Sequence, residues 1–170
     1  PDRGDVEIDG AYVFFGGKGA LEAARHSVGF VFQNAALFDS LNVFDNVSMG
    51  IPEAELAGLP RVEVARRVWE ALELVNLEPR EVMEKIPAEL SGGMKKRLGI
   101  ARAIVGPPSI LLWDEPTTGL DPINTAAVER LIKQLSTELE VTSVLVTHDI
   151  EGGRDMCHRY SMLGRARRRF

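Results

Sequence analysis

Cysteine is nearly missing from this chain of 170 residues. Cys157 stands alone, so no internal disulfide can form, and a reducing compartment suits it. No apolar run approaches the ~20 residues that a membrane-spanning helix requires, and the opening residues show no signal-peptide pattern. Contact with a membrane is therefore expected to run through a partner. Excess positive charge is absent too: 20 Lys and Arg stand against 25 Asp and Glu, a net charge of -5. That balance argues against nucleic acid as a partner. What is present, 45% hydrophobic and 26% charged residues, is the composition of a globular protein with one ordinary core.

The two ends are unusual. Pro1 stands where an initiator methionine would, in a turn-like Pro1-Asp2-Arg3-Gly4 stretch, and the last six residues, Arg165 to Phe170, are basic and patternless. The expectation is a fragment with a solvated tail, an anionic-lipid contact being the alternative for the tail.

Between the ends the pattern is α/β. Val6-Glu7-Ile8 alternates and stops at Asp9-Gly10, a strand entering a hairpin. Val28 to Phe32 is a short apolar strand ending at Gln33-Asn34. Pro60 precedes a helix from Arg61 to Leu77 with Val64, Val68, Leu72 and Val75 inward. Ser91 to Val105 reads as a helix with Leu98, Ala101, Ile104 and Val105 on one side, ended by Gly106-Pro107-Pro108. Ile110 to Trp113 is apolar throughout, as in a strand covered on both faces. Pro122 to Leu139 suits a helix with Val128, Leu131, Ile132 and Leu135 inward, and Ser143 to Val146 another buried strand. Strand, helix, strand in that order implies a parallel sheet. The mostly helical span from about Asp45 to Pro107 reads as a subdomain inserted between strands.

Asp114 and Glu115 close the apolar strand, which puts both carboxylates at the carboxyl edge of the sheet, where α/β proteins bind ligands. Asp114 can hold a magnesium ion directly or through water. Glu115 can orient and polarise an attacking water. Alone, the pair would do no more than solvate a strand end; Pro116, Gly119-Leu120-Asp121-Pro122 and the upstream glycines favour the chemical reading. Ser91 is a natural N-cap, and Gly92 and Gly93 place no side chain between an anion and the backbone N–H groups. With the helix dipole this makes a phosphate cradle, to which Lys95, Lys96 and Arg97 add positive potential. Gln33 and His148 each follow a short apolar strand. Gln33 can reach metal-bound water, and His148 a terminal phosphate or the attacking water. His26 and His158 have no such setting.

The order Gln33, Leu90-Ser91-Gly92-Gly93, Ile110 to Pro116, Gly119-Leu120-Asp121-Pro122 and His148 resembles the ATP-binding subunit of an ABC transporter over nearly the whole chain. The resemblance implies a P-loop NTPase-like parallel sheet core, here incomplete, with an inserted helical subdomain at 45–107. It makes Gln33 the Q-loop glutamine, Ser91 to Gly93 the signature loop, Asp114 the Walker B aspartate, Glu115 the catalytic glutamate, Asp121 the D-loop aspartate and His148 the switch histidine. Gln33 and Asp114 would then serve the metal. ATP and Mg2+ are the implied substrate and cofactor. A second copy is the implied partner, each ATP lying between one subunit's phosphate loop and the other's signature loop. A narrower likeness is to the Mla/Mce-type ATPases of bacterial phospholipid transport, carried by Phe32 to Val47, by Met94 and by Thr117 to Asn124. It implies a membrane permease, a lipid-binding Mce-domain protein, and a place on the inner face of the bacterial cell membrane. Leu37, Phe38, Val43 and Phe44 form either a groove for a permease helix or core.

One expected part is not found. A P-loop needs Gly-x-x-x-x-Gly-Lys-[Ser/Thr], but Lys18, Lys85, Lys95, Lys96 and Lys133 are followed by Gly, Ile, Lys, Arg and Gln. Gly16-Gly17-Lys18-Gly19 reads as a hairpin turn. The expectation is a polypeptide with catalytic and signature elements that grips ATP poorly alone and exposes apolar surface. Three other readings stand beside lipid transport: an ABC transporter for another solute, a soluble ABC ATPase of DNA repair, and a non-catalytic fragment. The short stretch between Gln33 and Ser91 shows no sustained heptads, which disfavours the DNA-repair class.

Overall fold

The computed structural model describes residues 4–8, 10–164 and 167–169. The readings placed on Pro1 to Arg3, Asp9, Arg165, Ala166 and Phe170 lie outside the described residues. A hairpin opens the chain: β1 (Glu7–Ile8) pairs antiparallel with β2 (Ala11–Tyr12). Next comes α1 (Gly17–Ser27), so Gly17 to Gly19 begin a helix and the hairpin-turn reading of Gly16 to Gly19 is corrected. The signal lay in Ala20-Leu21-Glu22-Ala23-Ala24-Arg25, a run of strong helix formers.

Three strands form the parallel sheet: β3 (Val28–Val31), β4 (Ile110–Asp114) and β5 (Thr142–Val146), in that spatial order. Between β3 and β4 the chain makes five α-helices, α2 (Val43–Ser48), α3 (Glu53–Leu56), α4 (Arg61–Leu74), α5 (Pro79–Val82) and α6 (Gly92–Ile104), with a 3-10 turn at Pro87–Glu89 before the last. Helix α4 stops where Asn76 takes φ 56°, a left-handed conformation that asparagine tolerates. Helix α7 (Pro122–Glu138) bridges β4 to β5, and α8 (Ile150–Met156) follows. The expected inward faces are all buried: Val64, Val68, Leu72 and Val75 near α4, Leu98, Ala101, Ile104 and Val105 near α6, and Val128, Leu131, Ile132 and Leu135 on α7. They join Val31, Leu111 and Trp113 of the sheet in one continuous apolar cluster.

The sheet itself differs from expectation. Register places Val31, Trp113 and Leu145 in one row and Phe30, Leu112 and Val144 in the next, on the opposite face. The first face is covered: Trp113 is buried, its Nε1 donates to Ser143 Oγ at 3.2 Å, and Ser143 Oγ meets Ser136 Oγ of α7 at 2.8 Å. The second face is open. Phe30, Phe32, Val144 and Val146 are exposed and Leu112 is half-buried, so β4 is not covered on both sides and β5 is not a buried strand. Helices α6 and α7 cover the first face, and β5 has only β4 for a neighbour among the described strands. Near the end of the chain, β6 (Met162–Gly164) pairs antiparallel with β7 (Arg167–Arg169), so three residues of the stretch expected to be patternless satisfy backbone groups in a strand pair.

Candidate active site

Parallel register brings Gln33, Asp114, Glu115 and His148 to the same end of the sheet, each one to three residues past the Val31–Trp113–Leu145 row. Asp114 ends β4 on the open face, half-buried, and its carboxylate takes no hydrogen bond or ion pair among the described residues. Glu115 behaves differently. Its backbone takes φ 48°, while its N–H donates to Val146 O at 2.9 Å. The turn directs the side chain to the end of β5. There Oε1 accepts the His148 backbone N–H and also meets His148 Nδ1, both contacts at 2.9 Å. The other oxygen, Oε2, accepts the hydroxyls of Thr118 at 3.0 Å and Thr147 at 3.4 Å.

The electrostatics follow from these contacts. Burial works to raise the Glu115 pKa, but bonds from His148 and Thr118 and the charge of His148 outweigh it and hold the carboxyl below its usual range. The hydrogen bond and charge of Glu115 push His148 upward in turn. The Glu115 side chain is 18% exposed and the His148 ring 78%, so the carboxylate is shielded while the imidazole stays open to a ligand. An ionised, oriented carboxylate beside an imidazole has the chemistry that general-base catalysis requires.

At α6, Ser91 Oγ caps the helix by accepting the Met94 N–H at 3.3 Å. The two glycines differ. A Cβ on Gly92 would meet nothing within 4 Å, as an anion cradle requires, whereas one on Gly93 would stand 2.5 Å from Asn124 Oδ1. Gly93 is therefore held small by packing. Of the three cations that follow, two are spent on backbone carbonyls: Lys96 donates to Gln33 O, and Arg97 to Asn76 O at 2.7 Å and Gly93 O at 3.4 Å. Burial pushes the pKa values of both downward.

Asp121 is the N-cap of α7. Its Oδ1 accepts the N–H groups of Ile123 and Asn124 at 3.0 and 3.1 Å, and Oδ2 the Asn124 side-chain amide at 2.5 Å. These bonds, the Asn124 side chain foremost, hold the carboxyl below its usual range. Asn124, Thr118 and Thr147 were given no site role in the sequence reading. Asn124 had a signal, a polar residue three positions after an N-cap; the threonines had only their nearness to Glu115 and His148. Gln33 is exposed and its side-chain amide bonds no described residue. Of the four apolar residues after it, Val43 is fully buried, Leu37 and Phe44 pack on the core, and Phe38 is 48% exposed.

Among the described residues no three His, Cys, Asp or Glu side chains gather into a metal site. The free Asp114 carboxylate and the Gln33 amide oxygen are the hard donors Mg2+ prefers, and they fit an ion whose remaining ligands are phosphate and water. The 170 residues hold no Gly-Lys-Ser/Thr phosphate loop to match. A cavity of about 360 Å³, lined by Arg25, Gly29, Met49 and Arg102 among others, lies elsewhere, and none of the candidate site residues borders it. No helix among the described residues is long and apolar enough to cross a membrane.

The ABC transporter family model matches residues 1–118. The methionine import ATP-binding protein MetN of Burkholderia thailandensis is 40% identical over 167 residues, 98% of this chain and 47% of that protein. MetN of Thermobifida fusca is 41% identical over 165 residues, covering 97% and 50%. The chain thus spans about half the length of the curated relatives it matches. Among solved structures, the ATP-binding cassette MJ0796, in a dimeric post-hydrolysis state bound to ADP and Pi, superposes with a TM-score of 0.75 at 33% identity, covering 91% of this chain and 66% of that one. CbiO1 from Clostridium perfringens, part of the ABC transporter complex cbiONQ, gives 0.78 at 34%, covering 92% and 61%. The parallel sheet is shared with these P-loop NTPase-like cores.

Proposed function

The chain belongs to the ABC transporter family, and from that premise we propose that it supplies the hydrolytic machinery of a transporter's ATPase subunit. The observation that carries the reading is the Glu115 carboxylate, kept ionised and aimed by His148, Thr118 and Thr147 at the sheet edge beside an unspent Asp114. In this reading Glu115 draws the proton from the attacking water, and His148 holds that water or the terminal phosphate of ATP. Asp114 and Gln33 would hold Mg2+, which when bound neutralises charge on the phosphates. Ser91, Gly92 and Gly93 offer N–H groups to the nucleotide of a second copy, and Asp121 braces that loop through Asn124. To accept a proton, Glu115 must release one of its present donors.

The transported solute is read from the relatives. Both named relatives are methionine import ATP-binding proteins, which supports an importer of a small solute over phospholipid transport and gives the Mce-domain partner no support. The remaining partners are a second ATPase copy and an integral-membrane permease that holds the subunit at the inner face of the membrane. Co-purification with a permease and a solute-binding protein supports this choice; recovery of a Mce-domain protein reverses it.

Hydrolysis is tested by E115Q in the whole protein. ATP binding is retained and turnover falls roughly 100-fold or more; unchanged turnover removes Glu115 from its role. Binding is tested on the 170-residue chain itself. Lacking a phosphate loop, it takes up ATP·Mg only weakly, and micromolar affinity would show that its own residues suffice.

A further inference from the structure

The turn that presents Gln33 is built against its own preferences. Ala35 and Ala36, neither of them glycine, take φ 59° and 47° in succession, a conformation that a Cβ disfavours. The turn is closed by the Ala35 N–H, which donates to Phe32 O at 3.0 Å. Facing it on α6 are Lys96, Gly99 and Arg102, three residues apart and so on one side of the helix. Arg102 forks, Nη2 donating to Ala35 O and Nη1 to Ala36 O, each at 2.7 Å. Lys96 donates to Gln33 O. Between them Gly99 lets the turn settle on the helix backbone: a Cβ there would lie 3.0 Å from Ala35 Cβ and 3.2 Å from Ala35 O. Neither cation has a carboxylate partner among the described residues, so both charges are directed at this row of carbonyls.

We infer that Lys96, Gly99 and Arg102 are positioning residues that hold the Gln33–Ala36 turn in its strained form, so that Gln33 is placed by α6, the helix that starts at Ser91. The catalytic meaning of this seat rests on the function proposed above. The seat itself does not, because its test needs no nucleotide.

The test is amide hydrogen exchange on the 170-residue chain. R102M accelerates exchange at Ala35 roughly tenfold or more, as expected for loss of charge-assisted bonds, while amides at Val68 and Leu72 in α4 keep their rates. R102K accelerates it less, since one ammonium cannot fork to two carbonyls. G99A leaves both cations in place yet also accelerates Ala35, by pushing the turn off the helix. Unchanged Ala35 exchange in both R102M and G99A overturns the inference. Equal acceleration at Ala35 and in α4 overturns it too, since Arg102 would then serve general stability. Should R102M fail to fold, G99A and R102K decide.

Discussion

Replacing Asn46 with alanine probes the packing that follows the Gln33 turn. Asn46 sits on α2, fully buried. Its Oδ1 accepts the Phe38 N–H at 2.8 Å, and its Nδ2 donates to Phe38 O, Leu41 O and Asn42 O at 3.1, 3.0 and 3.0 Å. Two of those carbonyls keep another partner without the side chain: Phe38 O retains the Leu41 N–H at 3.1 Å, and Asn42 O the backbone N–H of position 46 at 3.0 Å. The Phe38 N–H and the Leu41 carbonyl are left unpaired. At ~1–3 kcal/mol for each orphaned group, eased because Phe38 is itself 48% exposed, N46A costs about 2–4 kcal/mol. For a chain of this size that lowers the melting temperature by roughly 4–16 °C, read by circular dichroism with urea unfolding as a check. N46D is the companion. It keeps the acceptor but turns an anion toward three carbonyls, so its folded pKa lies above the unfolded value of ~3.9. Its penalty is full above the folded pKa and fades as pH falls through it. A loss under about 0.5 kcal/mol in N46A, or an N46D penalty with no pH dependence, would refute this account of the loop.

Other outcomes follow from the same geometry. NMR titration should place His148 above its ordinary ~6.5, and E115Q should bring it back; a value that ignores E115Q means that the Glu115–His148 contact does not form in solution. The sign is set by both partners: the charged bond is whole below ~6.5 and is lost as pH rises through the raised His148 value, while the lowered Glu115 value delays its loss in acid. S91A removes the cap on α6 and should cost about 1 kcal/mol in urea unfolding, against none if the Met94 N–H is satisfied otherwise. The double change F30S and V144T acts on side chains already 39% and 47% exposed, so it should reduce binding of a hydrophobic dye and aggregation at little cost in stability; undiminished dye binding would mean another surface is responsible.

Much of the site was legible because its residues sit at strand and helix ends, which composition marks well. Gln33, Glu115 and His148 follow apolar runs, Ser91 and Asp121 are N-cap types, and each lies at such a boundary in the structure. The buried stripes of α4, α6 and α7 were likewise carried by spacing. What spacing did not show is how each polar group is spent. Lys96 and Arg97 read as adding positive potential, and spacing did not show that they bond carbonyls from distant segments. Gly93 read as part of an anion cradle, and spacing gave no sign that a Cβ there would also meet Asn124 Oδ1 at 2.5 Å. Arg167 to Arg169 belonged to a stretch read as patternless, and these three residues pair with Met162 to Gly164 all the same.

Local chemistry along the chain therefore settles most of the longer helices and strands, the inward stripes of the helices and which residue types can serve phosphate chemistry, because those follow from period and from the needs of chain ends. Tertiary packing settles the rest. Only the register of β4 against β5 brings Glu115 into contact with His148, and only the one-sided cover of the sheet leaves Phe30 and Val144 in water. Such contacts join positions tens of residues apart, and no local pattern encodes the distance between them.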